Sequence, residues 1–131
     1  MAHFSTHFTV AEARAALPAL RRRLLRVQEL LAEARRAQEA AGAAPTIVLR
    51  GNGSGPILTG AGRFQAQAQQ IVKDIAAEGI QIKDLERGLV DFPHFLNADP
   101  FHEVFLCWHL GEDTITTWHE IEAGYAGRRP L

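Results

Sequence analysis

The residues with the most chemical potential sit in three blocks near the C-terminal end: Asp84-Leu-Glu-Arg-Gly-Leu-Val-Asp-Phe-Pro93, Leu106-Cys-Trp-His-Leu-Gly-Glu112 and Trp118-His-Glu-Ile-Glu-Ala-Gly-Tyr-Ala-Gly-Arg-Arg-Pro-Leu131. Both tryptophans, the single cysteine, the single tyrosine and four of the six histidines lie between Asp84 and Leu131, more clustering than helical scaffolding requires. Thiolate, imidazole and carboxylate are all ligands of zinc and related divalent ions. Cys107, His109, His119 and Glu122 are therefore candidate metal ligands, with a divalent metal such as zinc as the cofactor. Asp91, Trp118, Arg128 and Arg129 are candidate ligand-binding residues. No tight signature fixes this reading: there is no Cys-x-x-Cys, and His119-Glu120 has Ala123 where a metalloprotease helix needs its second histidine.

Strand alternation turns these spacings into a geometric expectation. On Glu103–Leu110, the residues Val104, Leu106, Trp108 and Leu110 share one face, suited to packing on helices. Glu103, Phe105, Cys107 and His109 share the other. A three-residue turn at Gly111-Glu112-Asp113 places Cys107 opposite Thr117 and puts His119 on the same face. A two- or four-residue turn sends His119 to the core side and dissolves the cluster. Asp91, alternating with Val90 and Phe92, can also face the cysteine. Trp118 would wall a pocket if it lay on that face and join the core if it did not.

Two enzymatic readings are weaker. A Cys107 nucleophile with a histidine base and Asp91 as orienter needs a lowered thiol pKa, and the acidic surroundings push the other way. Glu112, Asp113, Glu120 and Glu122 offer paired carboxylates, but the first two are turn residues and the others have arginines to pair with. The tail Gly124–Leu131 contains glycines that permit sharp bends. It can fold back so that Arg128 and Arg129 grip Asp91 or Glu112 through bidentate contacts.

The three blocks, together with a capped helix near the start, resemble the small prokaryotic family called domain of unknown function 2203. The likeness covers most of the chain. It implies no activity, substrate or cofactor, so whether the protein is an enzyme stays open. It does imply that Asp84, Arg87, Gly88, Asp91, Phe92, Pro93, Cys107, Trp108, Gly111, Glu112, Trp118, His119, Gly124, Gly127, Arg128 and Arg129 belong to motif blocks. His109 stands where lysine or arginine is common in the pattern, which weakens it as a ligand relative to Cys107 and His119.

The elements that must position these residues are legible in outline. Thr9 and Glu12 form a capping box behind Phe8, so a helix is expected over 9–42. Pro18 should kink it. Leu17, Leu20, Leu24, Val27, Leu31 and Ala34 recur at three-four spacing as a coiled-coil-like seam. Glycine crowds 43–62, which reads as a linker without regular structure. Phosphate binding there fails for want of a Gly-Lys-Ser/Thr. Within that segment Thr46–Leu49 is apolar enough to dock on a core. A second helix is expected over 63–78, antiparallel to the first, with Gly79 as its stop. Residues 80–119 read as an antiparallel meander of three to four strands, with Leu89–Phe92 ended by Pro93, and 120–131 as an ordered tail. The expectation is one α+β domain over 1–131.

Bulk properties narrow the function classes. With 131 residues and 47% hydrophobic content, a single domain can bury a core. A net charge of -1 provides no global field for nucleic acid or an anionic membrane. The arginines of the first helix are scattered around it and interleaved with Glu29, Glu33 and Glu39. One cysteine, no signal-peptide pattern and no apolar run of membrane length lead us to expect a soluble cytoplasmic protein. Two functions are compatible with these facts. One is a small binding module with a polar pocket on the sheet for a divalent metal or small ligand. The other is a non-catalytic helical-hairpin protein whose C-terminal motifs are structural. The surplus seam of the longer helix suggests a homodimer through that helix, and another protein partner is compatible with the second function.

Overall fold

The structure, a computed structural model, describes residues 2–41, 47–49, 56–58 and 60–131. The chain divides into two compact units, one of residues 1–24 with 74–131 and the other of residues 25–73. The fold is α+β. Helix α1 spans Val10–Ala41 and α2 spans Gly60–Ala77. Strands β3 (Gln81–Asp84), β4 (Leu89–Phe95), β5 (Glu103–Trp108), β6 (Thr117–Glu120) and β7 (Arg129–Pro130) form one antiparallel sheet in sequential order. The sheet has five strands because the tail contributes the last, against Thr117 and Trp118; three to four were expected.

The first unit holds the sheet. Helix α1 starts where the capping box demands: Glu12 N donates to Thr9 Oγ1 at 3.0 Å, and Thr9 N donates to Glu12 Oε1 at 2.8 Å. The α-helix is continuous through Pro18. Its residues Ala13, Leu17, Leu20 and Leu24 are buried, as are Val90, Phe92, Val104, Leu106 and Trp108 from alternating positions of β4 and β5. The helix and the sheet meet directly. Arg14 donates through Nε and Nη2 to the Ile115 carbonyl, and the Arg21 guanidinium lies 5.6 Å from the Trp108 ring. Phe8, just before α1, packs edge-on against Phe92 at 5.2 Å. One sheet face is thus committed to the core, and the residues between, Asp91, Phe105, Cys107 and His119, project to the other face.

Strand β4 corrects one expectation. It does not end at Pro93 but continues to Phe95, with Pro93 opposite Phe105. The proline is tolerated because β3 pairs only with Leu89–Asp91, so β4 is locally an edge beyond that point. The chain preceding α1 uses that edge: Phe8 N donates to Pro93 O at 2.7 Å.

The second unit is a helix pair with a ribbon. Val27, Leu30 and Ala34 of α1 and Ala61 and Ala68 of α2 are buried in it. A side-chain carbon at Gly60 would lie 3.6 Å from Ala37, so the start of α2 packs beside the last turns of α1, as in an antiparallel hairpin. The glycine-rich segment expected to lack regular structure carries a two-stranded antiparallel ribbon, β1 (Ile47–Leu49) paired with β2 (Pro56–Leu58). The apolar triplets on either side of the glycines can pair because backbone bonds, not side-chain periodicity, hold so short a ribbon. The rest of that linker, residues 42–46, 50–55 and 59, lies outside the described residues. Among the described residues, no helix is long and apolar enough to cross a membrane.

Candidate metal centre

Three adjacent strands each bring one ligand type to the outer face of the sheet. Register does the positioning: Asp91 on β4 is directly opposite Cys107 on β5, and Cys107 is opposite Thr117 on β6. This is the pairing that a three-residue turn implies. It places His119, opposite Phe105, on the cysteine's face. One carboxylate oxygen, the thiol sulfur and one imidazole nitrogen all lie within 4.8 Å of one another. Asp91 is 3% exposed, and Cys107 and His119 are 1% exposed.

The hydrogen bonds fix how each group points. His119 Nδ1 is 2.7 Å from the Glu120 carbonyl oxygen, which can only accept, so Nδ1 carries a hydrogen. That leaves Nε2 facing Asp91 Oδ1 at 3.0 Å. A nitrogen lone pair and a carboxylate oxygen cannot both accept across this distance. One proton must sit on that axis, on the imidazole or on the carboxyl group. The Cys107 sulfur lies within 4.8 Å of an Asp91 carboxylate oxygen. Burial and then the Asp91 charge push the Cys107 thiol up to about 12, with the Arg128 charge pulling the other way. A thiol so held is mostly protonated near neutral pH, opposite to the lowered pKa that a nucleophilic cysteine needs.

A cavity of about 260 Å³ opens on the cluster. Its walls come from Lys83, Leu89, Phe105 and the segment after β6, including Glu122 and Tyr125. Arg128 holds that segment in place. Its Nη2 donates to Glu112 Oε2 at 2.6 Å, its Nε donates to Thr117 Oγ1 at 2.8 Å, and its guanidinium lies 4.7 Å from the Tyr125 ring. The Thr117 hydroxyl in turn donates to the Cys107 carbonyl at 3.3 Å.

The other candidates lie elsewhere. Glu122 stands exposed on the cavity wall and outside the three-residue cluster. His109 lies just past β5, with Nδ1 2.7 Å from the Leu110 carbonyl oxygen and Nε2 3.6 Å from Glu112 Oε1, so its own loop holds it. Trp118 is opposite Leu106 and therefore faces away from the cavity, with Arg129 beside it at 5.4 Å. Lys83, Phe105 and Tyr125 were not singled out from the sequence as site residues. Phe105 was placed on the Cys107 face by alternation, and that was the one signal available for it. Lys83 sits at a register break between Ile82 and Asp84 that no periodicity announces.

A second polar cluster was also missed. Glu103 accepts hydrogen bonds from the backbone amides of His3 and Phe4 and contacts the rings of His3 and His7 at 3.0 and 2.6 Å. Burial would raise this carboxyl, but the bonds from His7, the two amides and His3 outweigh it and hold Glu103 down at about 2. The partners lie 96–100 residues apart, so sequence spacing gives no hint of the pairing.

The family model described as "Uncharacterized conserved protein (DUF2203)" matches residues 6–131, and the chain belongs to that family. No curated protein and no solved structure matches it.

Proposed function

We propose that this chain binds a single divalent ion of the zinc class through Asp91, Cys107 and His119. The observation that carries the proposal is the convergence of three different donor types from three strands in a buried setting beside an open cavity. The imidazole supports it further: Nδ1–H bound to a backbone carbonyl is the usual second contact of a metal-bound histidine, and it aims Nε2 at the cluster. Donors around tetrahedral zinc stand about 3.0–3.6 Å apart, so small side-chain rotations from the present spacing close the site. The ion would take the place of the proton between His119 and Asp91 and of the thiol proton. Three protein ligands leave a fourth position toward the cavity, the pattern of zinc sites that act on a ligand rather than merely brace a fold.

The test is the metal content, by elemental mass spectrometry, of protein purified without an affinity tag or chelator. About one equivalent of zinc or a similar ion should be present. It should be lost in Cys107→Ser and His119→Ala while the circular dichroism stays that of a folded α+β protein. Metal-free protein that takes up no zinc on dialysis against micromolar zinc would exclude the site.

A second reading has its own observation. The His119–Asp91 contact at 3.0 Å is already complete with a proton, so the trio can serve as a metal-free lock joining β4, β5 and β6. In that case the two variants lose stability and no metal. For partners, we propose a homodimer through the first helix. The seam residues Leu17, Leu20, Leu24, Val27 and Ala34 are buried within the chain, so the contact would rest on Leu25, which is 52% exposed, and the charged residues around it.

A further inference from the structure

The cavity beside Asp91, Cys107 and His119 has a composition that selects among ligands. At about 260 Å³ it falls below the roughly 300–1,000 Å³ of sites for drug-sized molecules and has room for about nine waters or a small organic molecule. Leu89, Phe105 and Ile121 give it apolar walls. Its one lysine is Lys83, at the register break between Ile82 and Asp84, where a bulge re-aims a side chain. The Lys83 ammonium lies 4.8 Å from the Phe105 ring centroid, and that ring lies 5.5 Å from the His119 imidazole. The Phe105 ring therefore neighbours both the Lys83 ammonium and the proposed metal ligand His119. With Asp91 and a Cys107 thiolate bound, a divalent ion carries no net charge, and Lys83 becomes the positive group of the cavity. Glu122 on the wall supplies the opposing charge and would repel a second anionic group.

We propose that this cavity holds a short monocarboxylic acid, with its carboxylate on the open metal position and toward Lys83 and its apolar tail against Leu89, Phe105 and Ile121. This rests on the metal reading given above. Neutral amides of the same shape lack the charge that Lys83 recognises. Dicarboxylic acids of similar length meet Glu122.

The test uses the full-length protein loaded with cobalt(II), whose visible absorption reports its ligands. The cobalt band is recorded first, then butyrate, butyramide and succinate are titrated in. The expected result is a saturable spectral change with butyrate, none with butyramide, and a weaker response to succinate. Lys83→Met should take up cobalt equally well but bind butyrate about fivefold more weakly, the effect of one exposed ion-pair partner. A cobalt band that butyrate leaves unchanged, an equal response to butyramide, or unaltered butyrate affinity in Lys83→Met would overturn the proposal while leaving the metal site standing. Absence of any cobalt band would remove the metal reading and this proposal together.

Discussion

At the scale of single residues, two acids are set by their surroundings in opposite directions. Cys107 is raised to about 12 by burial and by Asp91, so without metal it is a thiol rather than a thiolate. The native metal-free protein should therefore react with a thiol-disulfide reagent at about pH 8 far more slowly than the same protein unfolded in guanidinium. Equal rates, read from the released chromophore, would show that the sheet face does not enclose the sulfur. Glu103 is held at about 2, below the usual 4.5, by His7, His3 and two backbone amides. A carboxyl with a depressed native pKa adds stability that is complete above its unfolded value and fades as the pH falls through the native one. The advantage of the native protein in melting temperature over Glu103→Gln should hold down to about pH 4.5 and vanish toward about pH 2. An advantage independent of pH would mean that the stabilisation does not come from the ionised carboxylate.

The elements matter because they convert these residues into a site. Strands β4, β5 and β6 supply one ligand type each, and the tail closes the cavity over them. The tail depends on Gly124, whose φ of 69° and ψ of -170° fall in a region that is practically reserved for glycine. Nothing lies within 4 Å of where its side chain would be, so a substitution there strains the backbone without clashing. Gly124→Ala should cost about 1–3 kcal/mol in chemical denaturation and release Tyr125 from the cavity wall. Unchanged stability would show that the tail adopts this turn without tension. The Arg128–Glu112 pair at 2.6 Å provides the second anchor, since both side chains are largely shielded and the guanidinium also serves Thr117 and Tyr125.

At the scale of the whole molecule, most of the expected seam of the first helix is spent inside the chain: Leu17, Leu20 and Leu24 are buried in one unit and Val27 and Ala34 in the other, where Leu30 is buried and the expected Leu31 only half-buried. This bears on assembly, because buried leucines are not available to a second copy. If the proposed homodimer forms, sedimentation equilibrium should give twice the 14.4 kDa mass, and Leu25→Glu should return the protein to monomer. A monomer at all concentrations would exclude the contact. Charge is also settled internally in the first unit. Arg23 pairs with Glu78 at 2.6 Å, and Arg21 reaches the carbonyls of Glu112 and Asp113 at 3.5 and 3.4 Å.

Local rules made much of this legible beforehand. The capping box at Thr9 and Glu12, the helical seam and the strand alternation through Cys107 depend on neighbours a few residues away, and their periods are written in the order of residue types. They were enough to name the α+β fold and to put Cys107 on the face away from the helices. Neither the short ribbon inside the glycine-rich segment nor the continuation of β4 past Pro93 was readable, because both depend on which strand edges are paired. The sequence by itself determined the ligand types and their alternation. Only the tertiary structure decided that Asp91, Cys107 and His119 meet, that Trp118 turns away and that Lys83 reaches the cavity. The physical reason is register: a shift of one residue between two strands reverses every side chain, and no local preference fixes it.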